Sequence, residues 1–165
     1  MLTITTATPE QVHIIREIAH ATWPVTFGHI LTAEQIAYML NMMYSEASLL
    51  DQVRNKNHVF LLARADGVFG GYASYELNYQ GKPVSKLHKI YVLPQMQGKN
   101  VGKALLDEVA AIARNAGMKY LSLNVNRRNN AVGFYERQGF VKVGEEDIDI
   151  GHGYFMNDAV MQMTL

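Results

Sequence analysis

Two hydrophobic periods divide the chain. Leu2 to Ala7 alternates weakly, as a strand does. Thr8 followed by Pro9 and Glu10 reads as a helix start, with Thr8 as N-cap and proline at the first helical position. Val12, Ile15, Ile18 and Ala19 then recur on one helical face. The aromatic stretch "ATWPVTFGHI", Ala21 to Ile30, predicts a loop. Thr32 and Gln35 form a capping-box pair ahead of a helix through Ile36, Met39, Leu40 and Met43. A further helix covers Ser45 to Asn55.

From His58 the period drops to two. "HVFLLARADGVFGGYASYELNY" reads as two strands around an Asp66-Gly67 turn, an antiparallel hairpin. "SKLHKIYVLP" is a third strand ending at Pro94. A glycine-bearing loop and a helix to about Ala116 follow, with Leu105, Val109 and Ile112 as the buried stripe. "KYLSLNV", "GFVKVGEED" and "GYFMNDAVMQMTL" are strands, and "NNAVGFYERQ" is a helix. Antiparallel strands with helices interleaved late predict an α/β fold around one mixed, mostly antiparallel twisted sheet, with helices on both faces.

Composition narrows the function. The 165 residues fit one domain, 1–165, with no repeats or linkers. Lys+Arg and Asp+Glu both number 15, which argues against a bulk nucleic-acid or membrane-surface binder. Cysteine is absent, so disulfides, thiolate metal sites and a cysteine nucleophile are excluded. The N-terminal stretch has no signal-peptide pattern and no apolar run reaches the ~20 residues of a membrane span, so a cytoplasmic protein is the expectation. Nine methionines and nine tyrosines are a mild surplus that suits core filling and adaptable surfaces. His13, His20, His29, His58 and His152 lack HExxH or other ligand spacing; they read as surface or capping residues, and no metal is expected.

The loop "LPQMQGKNVGKALL" carries the chemistry. A strand, a glycine turn and a helix start make an anion site, because the first helical N–H groups lack partners and the dipole is positive there. Gly98 and Gly102 enclose three residues rather than four, and Ala104 follows Lys103, so this is not a Walker A loop. Gly-x-Gly-x-x-Gly is also absent. What remains is Gln-x-x-Gly-x-Gly/Ala, and Gln97 to Gly102 resembles this pyrophosphate loop of the GNAT acetyltransferases. Asn100 stands where the family usually has glycine; asparagine tolerates a left-handed backbone better than most residues. Downstream, "NNAVGFYERQGF" resembles the second family signature at Ala131, Phe134, Tyr135, Glu136, Arg137, Gly139 and Phe140. The usual Asn falls at Arg128 by count, so either Asn129 takes its role through a shortened loop or no residue does. The stretches "ATWPVTFGHI" and "HGYFMNDAVMQMTL" look like the bacterial spermine/spermidine acetyltransferases of the PaiA type.

The resemblance implies a single GNAT-like domain that moves acetyl from acetyl-CoA to an amine by direct attack in a ternary complex. It places the acetyl group along Ile90, Tyr91 and Val92, and the pyrophosphate on Gln97, Gly98, Lys99, Asn100, Val101, Gly102 and Lys103, with Asn129 nearby. It makes Tyr135 the donor to the departing thiolate. Many members carry a Glu where this chain has His88; strand alternation would set His88 on the face of Ile90 and Val92, and an imidazole is a competent base at neutral pH. Glu76 or water is the rival base. Trp23, Phe27, Tyr38 and Met42 are candidates for the acceptor wall, with core packing as the alternative. A small-molecule amine, polyamine-like, is the leading acceptor. A protein or peptide acetyltransferase and a non-catalytic acyl-CoA-binding regulator stay open, as does a homodimer.

Overall fold

The computed structural model describes residues 1–165. Its strands are β1 (Leu2–Thr6), β2 (Val59–Ala65), β3 (Val68–Glu76), β4 (Val84–Val92), β5 (Tyr120–Asn126), β6 (Val141–Gly151) and β7 (Tyr154–Thr164). They form one sheet in the order β1-β2-β3-β4-β5-β7-β6. Every pairing is antiparallel except β4 with β5. The helices are α1 (Val12–Phe27), α2 (Ala33–Tyr44), α3 (Glu46–Asn55), α4 (Val101–Asn115) and α5 (Ala131–Arg137). None is long and apolar enough to cross a membrane.

Side-chain alternation splits the core in two. Leu61, Ala63, Ala73, Tyr75 and Leu87 face α4 and α5. Phe60, Leu62 and Tyr72 face α1, α2 and α3. Helices therefore cover both faces, as the sequence pattern predicts. On α4, Leu105 and Val109 are fully buried, while Ile112 only packs against the cluster's edge. Truncating either fully buried side chain to alanine removes about 1–5 kcal/mol by transfer and cavity terms. The tyrosine surplus has a place in the second core. Tyr72 donates to the Tyr44 hydroxyl at 2.7 Å, and Trp23, Phe27 and Tyr91 complete the aromatic cluster.

Local signals largely hold. Asp66 and Gly67 both have positive φ, 51° and 82°, as a two-residue hairpin turn of the primed type requires. Pro9 opens a short 3₁₀ turn, capped where Gln11 Oε1 accepts from Thr8 N at 3.0 Å, before α1 begins. Thr32 accepts from Gln35 N at 3.1 Å, but the Gln35 amide donates to the Phe155 carbonyl rather than back to Thr32, so only half the capping box forms.

One expected loop is largely helix. The stretch Ala21–Ile30 continues α1 as far as Phe27, with Pro24 inside it. Trp23 and Phe27, four residues apart, bury on the same side as Ile15 and Ala19. Pro24 lies on the exposed side and forfeits only one helical bond there, so burial of the aromatic pair outweighs proline's poor propensity.

Candidate active site

The site begins where β4 and β5 part. Their ladder runs from Val84–Tyr120 to Leu87–Leu123 and stops. Beyond it β4 keeps its pairing with β3 only, and a gap opens on its other edge. Leu93 N donates to Gly70 O on the β3 side at 2.8 Å. Alternation along a strand then turns the Val92 N–H into the gap, where it can donate to a carbonyl oxygen.

A cavity of about 1020 Å³ occupies this gap and the space around it. Its lining unites most of the residues singled out in the sequence: Tyr135, His88, Ile90, Tyr91, Val92, Gln97, Gly98, Asn100, Val101, Gly102, Lys103, Asn129, Trp23 and Phe27. Met42 also lines it; Tyr38 does not, and instead donates its hydroxyl to the Ile150 carbonyl. Lys99 and Glu76 lie outside the lining.

At one end stands the anion loop. Gly98 has φ +81° and Asn100 has φ 61°, ψ 20°, so the departure from glycine is accommodated in the left-handed region. Asn100 O accepts the first helical bond, from Ala104 N, at 3.0 Å. The N–H groups of Val101, Gly102 and Lys103 precede that bond and are available to an anion. The Lys103 ammonium is engaged by Asp107 at 2.7 Å on the exposed face of α4. Asn129 accepts from Ala131 N at 2.9 Å and so fixes the start of α5.

Tyr135 projects from α5. Its ring is 6% exposed and packs beside Phe134 and Phe140, while its hydroxyl has no partner in the protein and is not enclosed. Burial pushes the phenol pKa up, so the group is a proton donor throughout the physiological range.

His88 differs from its expected orientation. Tyr75 pairs with Leu87 and Ser74 with Lys89, which leaves His88 as the extra residue of a β-bulge. Alternation resets there. His88 therefore shares a face with Lys89 and Tyr91, not with Ile90 and Val92, and meets Glu76 of β3 and the residue that precedes β2. Its Nε2 lies 3.0 Å from Glu76 Oε1, so the two candidate bases are in direct contact. Nδ1 has no partner in the protein and is not enclosed. Burial, then His58, Lys89 and Lys86, lowers the His88 pKa, and burial raises that of Glu76.

His58, expected on the surface, completes this cluster. It stacks on His88 with ring centroids 3.9 Å apart and planes 18° from parallel, and its Nε2 is 3.6 Å from Glu76 Oε1. A signal existed: counting back from the Asp66-Gly67 turn sets His58 within one residue of Glu76. The three side chains have the spacing of a metal-ligand set. Ligation by imidazole uses the in-plane lone pair, however, and the lone pairs of two nearly parallel rings do not converge on one point.

Sequence reasoning also missed the opposite wall. Asp158, 3% exposed, accepts from Asn124 at 3.3 Å, and the Lys86 ammonium donates to Asn124 Oδ1. Glu146 pairs with Asp158 across β6 and β7 and lines the same cavity. Lys89 donates to Gln52 Oε1 at 2.6 Å, and burial, then Lys56, pushes its pKa down to about 7.

Comparison with known proteins bears on the whole arrangement. The family model for the acetyltransferase (GNAT) domain matches residues 29–155. A spermidine N(1)-acetyltransferase of Thermoplasma acidophilum is 29% identical over 143 residues, covering 84% of this chain and 86% of the relative. An uncharacterised N-acetyltransferase of Mycobacterium tuberculosis is 30% identical over 149 residues, covering 90% of this chain and 94% of its own. The crystal structure of PaiA N-acetyltransferase from Thermoplasma acidophilum in complex with coenzyme A superposes with a TM-score of 0.84 at 26% identity, covering 100% of this chain and 99% of the other. The seven-stranded sheet parted between β4 and β5, the loop at the start of α4 and these matches agree: the chain belongs to the GNAT family of N-acetyltransferases.

Proposed function

We propose that the protein transfers an acetyl group from acetyl-CoA to a primary amine of a small molecule by direct attack in a ternary complex, with a polyamine such as spermidine as the first acceptor to test. The observation that carries this is the continuity of one cavity. It joins the unpaired N–H groups at the start of α4 to a free Tyr135 hydroxyl and a free His88 Nδ1.

Acetyl-CoA supplies a thioester already activated for attack. The N–H groups of Val101, Gly102 and Lys103 hold its pyrophosphate, with the positive end of α4 behind them. The Val92 N–H donates to the acetyl oxygen as it gains charge. His88 Nδ1 takes the proton that the attacking amine sheds, and Nε2–H donates to the Glu76 carboxylate, which stabilises the imidazolium. Tyr135 gives its proton to the departing sulfur as the C–S bond breaks. The C–N bond forms as the C–S bond breaks, leaving the amide and the free thiol; the proton gained by His88 and the one lost by Tyr135 cancel through exchange with solvent, which returns both side chains to their starting state.

Two features favour an acceptor with apolar reach and more than one ammonium. Met39, Met42, Met43 and Met156 line the cavity, and such side chains adapt to methylene chains. Glu146 and Asp158 carry carboxylates on the same wall. The resemblance to a spermidine N(1)-acetyltransferase points the same way.

The test is an acceptor screen with acetyl-CoA, reading free thiol and identifying the product by mass. Spermidine and spermine should turn over faster than single-charge amines, amino acids, aminoglycosides or N-terminal peptides. Preference for a peptide acceptor would replace the small-molecule reading. Binding of acetyl-CoA with no turnover on any amine would make the chain an acyl-CoA binder.

A further inference from the structure

His58 lies in none of the roles above, yet its surroundings are specific. It immediately precedes β2 and approaches Glu76 on β3 and His88 on β4. Its Nδ1 is buried and has no hydrogen-bond partner. A buried donor without an acceptor costs more than a buried lone pair, so the neutral ring keeps its hydrogen on Nε2. Nε2 lies 3.6 Å from Glu76 Oε1 while the ring is stacked flat on His88, so the contact is electrostatic rather than a hydrogen bond. The same carboxylate oxygen already accepts from His88 at 3.0 Å.

The consequence is an asymmetry between two stacked imidazoles. A second proton on His58 would have to sit on the enclosed Nδ1, with nothing to receive it. A second proton on His88 would sit on Nδ1, which is not enclosed, on a ring that lines the cavity. The other charged groups facing His58 reinforce this. Lys89 on β4 and Lys56 before β2 both disfavour a cationic His58, whose pKa is pushed down to about 4 by burial first and then by these lysines. Tyr79 closes the cluster with its ring edge-on to His88 at 5.8 Å and the Lys86 ammonium over its face at 5.3 Å.

We propose that His58 is a positioning residue: a stacked ring that holds the plane of His88 and shares the Glu76 oxygen, so that His88 Nδ1 is the single site that receives the acceptor's proton. This rests on the reading of His88 and Glu76 as the proton-accepting pair.

The test compares His58→Phe, His58→Gln and His88→Ala in the full chain. It measures kcat and KM with acetyl-CoA and spermidine, the pH profile of kcat/KM, and the thermal shift given by acetyl-CoA. His58→Phe keeps a flat ring but removes the N–H. Its kcat should fall about tenfold through misplacement of the base, with acetyl-CoA binding unchanged. Its acid-side limb should move to higher pH, because Glu76 Oε1, relieved of the second N–H, holds the His88 imidazolium more strongly. His58→Gln restores an N–H and should return the limb toward wild type. A His58→Phe enzyme with an unmoved limb overturns the proposal, whether or not its rate falls. If His58→Phe does not fold, a His58→Gln limb displaced to lower pH, or a kcat equal to wild type, overturns it. If His88→Ala keeps both the wild-type rate and the limb, the underlying proton-acceptor reading fails instead.

Discussion

Tyr135→Phe removes one oxygen from the cavity and leaves the packing intact. The ring stays between Phe134 and Phe140, whose centroids lie 5.4 and 5.6 Å away. The hydroxyl makes no bond to the protein, so no buried partner is orphaned. The melting temperature should therefore move by no more than about 2 °C. Chemistry should suffer far more. Burial keeps the phenol protonated, and in the proposed mechanism it neutralises the thiolate as it leaves. General-acid help of this kind is worth roughly 10²–10⁴-fold, or about 2.7–5.4 kcal/mol of barrier. The assay is thiol release at saturating acetyl-CoA and spermidine, with KM for acetyl-CoA measured in parallel. The expected result is a kcat at least about 100-fold lower with KM within a few-fold. A kcat loss below about threefold would refute the reasoning and make Tyr135 a packing residue.

The other consequences are as direct. Gly102→Glu sets a carboxylate at the mouth of the anion loop, so the thermal stabilisation given by acetyl-CoA should disappear while the unliganded protein still melts cooperatively; a full shift in the variant would locate the pyrophosphate elsewhere. The kcat/KM of wild type should rise with pH through a limb below the ordinary imidazole value near 6.5, since His88 is depressed by burial and by neighbouring cations, and His88→Ala should flatten it. Acceptor deprotonation gives a separate limb at high pH that follows the amine's own pKa; a lower limb that follows the acceptor instead rules out His88. His58 makes stability pH-dependent: the unfolded residue protonates near 6.5 and the folded one at about 4, so between those values the unfolded state binds more protons. The melting temperature should fall as pH drops through that window, and His58→Phe should reduce the slope; an unchanged slope would show that His58 is not shielded.

How much of this was legible in the sequence follows from how local each cause is. The Asp66-Gly67 hairpin, the anion loop and the Tyr135 helix were readable because turn chemistry and motif spacing act within a few residues. Asn100 belongs here too: its left-handed backbone is a property of one residue type at one position. The loop reading failed around Pro24, where the deciding term was burial of Trp23 and Phe27 in the cluster that holds Tyr72 and Tyr91, a tertiary contact with no local mark. His88 was found but faced wrongly, because a single bulge inverts alternation and "SKLHKIYV" contains no glycine or proline to announce it. His58 was missed because its neighbours come from two other strands, and two registers had to be known at once. Asp158 and Glu146 were missed for the same reason: β7, which carries Asp158, comes last in sequence but pairs with β5, and Glu146 reaches the site only through the pairing of β6 with β7.

The central claim is that one cavity moves acetyl from acetyl-CoA to a small amine, and isotopically labelled acetyl-CoA tests it most directly. Wild-type protein is mixed with labelled acetyl-CoA and spermidine, and thiol release and labelled amide are followed together by mass spectrometry. They should appear in equal amounts, with the label on a primary nitrogen of spermidine, and both should slow by at least about 100-fold in Tyr135→Phe. Thiol released without labelled spermidine, or no thiol released while acetyl-CoA still raises the melting temperature, would contradict it.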